Sequence, residues 1–91
     1  MSKSEQYKRE IENLENKSLE ELGNIVNLFG NKYKGKLIKE IYKENPSYFE
    51  WLKTLNNDNY IGSKYYFDIE YSKRAMIIYY DIMDYLKNVG K

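Results

Sequence analysis

Lys32, Lys34 and Lys36 alternate through a short glycine-containing segment with Tyr33 between them. This spacing lets ammonium groups follow a phosphate chain while a ring offers its face to a base. On an extended strand the three lysines share one side, and Tyr33 and Gly35 the other. Lys39, Lys43 and Lys53 follow in sequence, and a glycine turn adds backbone amides of the kind that hold anions. The ordinary alternative is a solvated edge whose lysines oppose edge-to-edge association. A second constellation is acidic. Asp68 and Glu70 share a face if their segment is a strand, and Asp81 and Asp84 lie three apart on a helix, so the four could converge on a hard cation such as magnesium. Lys73 would then handle the attacking water, but no complete motif supports a metal nuclease, and charged element faces are the ordinary explanation. The five glycines are scattered, which excludes a glycine-rich nucleotide loop.

Composition narrows the chemistry further. The 91-residue chain has no cysteine and no histidine, so it lacks a thiol nucleophile, an imidazole base, a disulfide framework and the soft ligands of a zinc site. No catalytic residue, metal or cofactor is assigned, and the chain reads as a non-enzyme. Fifteen Lys and Arg against fourteen Asp and Glu leave a net charge of +1, so any polyanion site must be a local patch. Arg9 and Arg74 are its arginines, which favours point-charge contacts over bidentate readout of a base. The longest apolar run, Ala75 to Tyr80, has six residues, against roughly 20 for a membrane span. With no charged segment leading into an apolar one at its start, the expectation is a soluble, cytoplasmic protein without a membrane partner. Eleven tyrosines, each an apolar ring with a polar tip, suit half-buried positions and binding surfaces.

One small domain, residues 1–91, must position these groups. Tyr7, Ile11 and Leu14 recur at i, i+4 and i+7 and predict a helix from about Ser4 to Asn16. Ser18 and Glu21 have capping-box spacing and Gly23 supplies a stop, so the helical section spans 4–23. Ile25, Val26, Leu28 and Phe29 read as a strand entering a turn at Gly30-Asn31, and Tyr33 to Leu37 as the returning strand with a bulge at Gly35. Ile38, Ile41 and Tyr42 indicate a short helix ending near Asn45. Pro46 starts another, with Tyr48, Trp51, Leu52 and Leu55 as its buried stripe, completing a hairpin-and-helix motif over 24–55. Residues 56–64 read as a polar loop. The segment 65–71 is open between a strand, from the alternation of Tyr65, Phe67, Ile69 and Tyr71, and the acidic start of the next helix.

A long C-terminal helix over 72–88 carries Ala75, Tyr79, Ile82, Leu86 and Val89 on one stripe, with Ile78, Met83 and Tyr85 beside it. Ile77 and Tyr80 project from its polar side. With Asn57, Asp58 and Tyr60 of the loop, they are the candidate contacts to a protein partner or to a second copy in a homodimer. The predicted fold class is α+β: a small, mostly helical single domain with a short Gly/Lys β-hairpin and a long C-terminal helix.

One stretch has a recognisable layout. Leu28-Phe29-Gly30-Asn31-Lys32-Tyr33-Lys34-Gly35-Lys36-Leu37-Ile38, followed by Pro46-Ser47-Tyr48-Phe49-Glu50-Trp51-Leu52, resembles the small domain at the C-terminal end of exonuclease-X-type enzymes, found also in stand-alone bacterial and phage proteins. In that family a Phe-Gly pair leads into a Lys-Tyr-Lys-Gly-Lys turn, an apolar helix follows, and Pro-Ser-Tyr ends in Trp-Leu. The resemblance covers about residues 28–52, with Asn31 as an extra residue in the turn. It implies an accessory element of nucleic-acid-processing enzymes and brings no catalytic residue with it. Tyr48 and Trp51, three apart on one helix face, are expected to cover the glycine turn.

Two functions from different classes follow. The first is a non-enzymatic module of nucleic-acid metabolism that contacts the phosphate backbone, without sequence preference, through Lys32, Tyr33, Lys34 and Lys36. The second is a small phage or mobile-element inhibitor of a host defence or nuclease complex, anti-CRISPR-like in kind, acting by protein–protein contact. A residue usage rich in Lys, Asn, Ile and Tyr, as AT-rich coding sequences produce, fits that origin.

Overall fold

Apolar residues three and four apart in charged surroundings fold the start of the chain into α1 (Lys3–Asn13), which tightens into a 3-10 turn at Leu14–Asn16. Ile11 and Leu14 are buried from this section. The computed structural model describes residues 3–28, 30–55, 62, 64 and 66–89; the side chains of Lys3, Ser4 and Tyr7, and the loop residues Asn57, Asp58 and Tyr60, lie outside that description. α2 (Leu19–Gly23) starts at the expected capping box. The Glu21 amide donates to Ser18 Oγ and the Ser18 amide to Glu21 Oε1, both at 3.1 Å. The Ser18 amide, helped by the hydroxyl, holds the Glu21 carboxyl below its ordinary value.

Gly23 closes α2 without a left-handed backbone, so its role is space: a Cβ there would stand 3.1 Å from the Tyr79 ring and 3.2 Å from Lys39 Cβ. α3 (Ile38–Glu44) buries Ile38 and Ile41. Pro46, with φ of −62°, presets the entry to α4 (Ser47–Thr54), which buries Phe49 and Leu52. α5 (Tyr66–Val89) runs along all of these and buries Ser72, Ala75, Met76 and Tyr79. α4 is clasped to α5 by polar tips around an aromatic centre. The Tyr80 hydroxyl donates to Glu50 Oε1 at 2.7 Å, Lys53 pairs with Asp81, and the Tyr80 ring stacks on Phe49 with centroids 5.6 Å apart. The bond to Glu50 pushes the Tyr80 phenol up to about 12.

The described residues are helices and loops, which corrects the α+β expectation. Between α2 and α3 the predicted hairpin is reduced to one antiparallel bridge, Val26 with Leu37. Gly30 and Gly35 take φ of 78° and 89°, a left-handed geometry that interrupts any strand. Asn27 completes the interruption by turning inward. Its side-chain amide donates to the Tyr33 carbonyl at 3.2 Å, its backbone amide to Lys36 O at 2.8 Å, and its carbonyl accepts from Gly35 at 2.7 Å. The result is a closed loop over 26–37, here the lysine loop, folded around the Tyr33 side chain. The alternation at 65–71 likewise resolves as helix from Tyr66 onward, with Asp68 in the first turn, where the helix dipole favours a carboxylate. Ser72 then joins the two regions, its buried hydroxyl accepting the Leu28 amide at 3.0 Å.

Candidate nucleic-acid interface

The lysine loop is shaped from below. Tyr33 is 2% exposed, so its ring is not a surface available to a base. Tyr48 meets it edge-on, with centroids 4.8 Å apart, and Asn45 Nδ2 donates to its hydroxyl at 3.2 Å. Gly30 lets the chain pass under Tyr48, because a Cβ there would stand 3.2 Å from the Tyr48 hydroxyl. Tyr33 therefore belongs to the support of the site, and its lysines form the outer layer.

Lys32, Lys34 and Lys36 are all exposed. Lys32 Nζ lies 5.3 Å, and Lys36 Nζ 5.7 Å, from the Tyr33 ring centroid, so the ring face helps to hold both ammonium groups over the loop. They are not equally free. Lys36 pairs with Glu44 at 3.0 Å, and that hydrogen bond raises its pKa above the ordinary lysine value. Lys34 meets no counter-charge among the described residues. Lys53 is committed to Asp81 and lies 5.0 Å from the Tyr80 ring centroid. Among the lysines of the loop, Lys32 and Lys34 are thus the two without an ion pair among the described residues.

The other candidates are dispersed. Asp68 and Glu70, two residues apart on a helix, point to different sides of α5, and Asp81 is about 20 Å further along it. Glu70 faces Arg74 at 3.7 Å, and Lys73 Nζ donates to the Leu55 carbonyl at 2.6 Å. The four carboxylates therefore cannot share one cation. Of the partner-contact candidates, Tyr80 is half-buried in the α4–α5 clasp, and Ile77 lines a shallow groove with Glu15, Glu70 and Arg74.

One residue of the site region was not singled out by pattern and another is placed differently. Asn27 is buried and ties both sides of the loop; its signal was a lone amide inside an otherwise apolar run. Trp51, expected in the buried stripe of α4, is 49% exposed, while Phe49 takes the core position instead. With α4 starting at Ser47, Phe49 and Leu52 fall on the inward side and Trp51 beside them.

Residues 29–58 match the family model described as Exodeoxyribonuclease X-like C-terminal. The match bears out the resemblance read from Phe29-Gly30, Lys32 to Lys36 and Trp51-Leu52. It takes in most of the lysine loop, α3 and α4, about a third of the chain. No curated protein and no solved structure matches the chain. No helix among the described residues is long and apolar enough to cross a membrane.

Proposed function

We propose that this protein is a non-enzymatic binding module of nucleic-acid metabolism, whose lysine loop contacts the phosphate backbone without reading sequence. The observation that carries the proposal is the pair Lys32 and Lys34, held outward on a loop fixed from beneath by Tyr33, Asn27 and Asn45. A pre-shaped loop loses little freedom on binding, and lysine's compact charge suits a phosphate oxygen. The location of this loop within the exodeoxyribonuclease X-like match supports a nucleic-acid context. The test is fluorescence anisotropy of labelled oligonucleotides with the full chain. Lys32→Ala/Lys34→Ala should weaken binding about tenfold, while Lys87→Ala on the last turn of α5 should not. Undetectable binding by the wild type would end the proposal.

The inhibitor reading has one observation in its favour. Tyr85, Leu86 and Val89, at the end of α5, are 66%, 51% and 63% exposed, a run of apolar side chains suited to a protein surface. It calls for a partner lost on Leu86→Glu with nucleic-acid affinity unchanged.

A further inference from the structure

Trp51 is left half in water by a helix that buries Phe49 and Leu52 on either side of it in sequence. Its indole is not loose. It packs on Tyr48 with centroids 5.4 Å apart and planes tilted by 31°. Tyr48 in turn meets the buried Tyr33 at 4.8 Å, and the ammonium groups of Lys32 and Lys36 lie over Tyr33. A row of three rings thus runs from the buried centre of the lysine loop, where two ammonium groups lie over Tyr33, through a half-buried ring, to an exposed indole two ring contacts away.

We propose that Trp51 is a base-stacking platform, and that the ligand of the lysine loop is single-stranded nucleic acid. The inference rests on the phosphate-binding reading of that loop. In a duplex each base face is covered by its neighbours, so an exposed indole gains little from it. An unpaired strand presents a face to the ring while its phosphates run along the lysines. Tyr48 holds the indole at a set tilt, which reduces the freedom lost when a base docks on it. Stacking also tolerates any base, in keeping with lysines that read no sequence.

Trp51 is the sole tryptophan, so the protein's indole emission reports on this side chain alone. The full chain is titrated with an unlabelled oligo-dT and with a duplex of the same length, and labelled-strand anisotropy is followed in parallel. Oligo-dT should quench the emission and the duplex should not. Trp51→Ala should bind oligo-dT about tenfold more weakly with the same salt dependence, since no phosphate contact is lost. Trp51→Phe, which keeps a ring, should bind between the two, and circular dichroism melting confirms that both variants fold. Binding without quenching, or a Trp51→Ala affinity equal to wild type, would overturn the role of Trp51 and leave the loop reading standing. Duplex bound as tightly as oligo-dT would overturn the single-strand assignment. Loss of all binding by the wild type would remove the loop reading itself.

Discussion

Replacing Tyr33 separates the two things its side chain does. Tyr33→Phe removes the bond from Asn45 and keeps the ring under Tyr48, so it should cost about 1 kcal/mol. Tyr33→Ala empties the centre of the lysine loop and should cost about 3–5 kcal/mol, the range for losing a buried aromatic side chain. Urea unfolding of the two variants checks both figures. Gly35→Ala is a cleaner probe of backbone: nothing within 4 Å would meet the new Cβ, yet φ of 89° strains any L side chain. A loss of about 1–2 kcal/mol is expected, with the fold retained. At this scale the sequence shows which residues alternate, and Lys32, Lys34 and Lys36 are all exposed, although not on the strand that the alternation suggested. It does not show that Tyr33 would be drawn inward, because that depends on a ring from α4 and an amide from Asn45 arriving from elsewhere in the chain. Asn27 was hidden for the same reason: its partners are set by the closed loop.

Between elements, the α4–α5 clasp makes stability depend on pH in a definite direction. The Tyr80 phenol is raised to about 12 mainly because its proton is held by Glu50. A folded-state pKa above the unfolded value means that the contribution is complete below about pH 10 and lost as pH rises towards 12. The stability difference between wild type and Tyr80→Phe should therefore shrink across that window, as measured by chemical unfolding at several pH values. A difference that stays constant would contradict a contribution from the bond to Glu50, since both side chains keep the ring on Phe49. Helix ends were the most legible elements. Ser18 with Glu21, the Ile38, Ile41 spacing and Pro46 each carry a local cause that needs no tertiary partner. The apolar run at 25–29 misled, and the alternation at 65–71 left strand and helix start both open. A short run of that kind fits either a strand or one face of a helix, and here the left-handed glycines and the reach of α5 decided between them.

Across the molecule, α5 is the longest element, 24 residues or about 36 Å, and its stripe of apolar residues continues past the point where the other helices cover it. The chain is accordingly somewhat elongated, 45 × 26 × 21 Å, with a radius of gyration of 13.3 Å against about 12 Å for a compact chain of this length. Leu86 and Val89 lie on that uncovered stretch, so Leu86→Ser with Val89→Ser should change stability by no more than about 0.5 kcal/mol in thermal melting. The near-neutral charge makes a sharper demand on function. At a net +1, attraction for a polyanion must be local, and if it comes from Lys32 and Lys34, with Lys36 partly offset by Glu44, few counterions are released. The most direct measurement is therefore the affinity for oligo-dT as a function of salt. The logarithmic slope should be about −1.4 to −2, as two or three phosphate contacts on a single strand give, and should shrink by about 1.4 in Lys32→Ala/Lys34→Ala. Binding whose slope is the same in that variant as in the wild type would contradict the assignment of phosphate contact to the lysine loop.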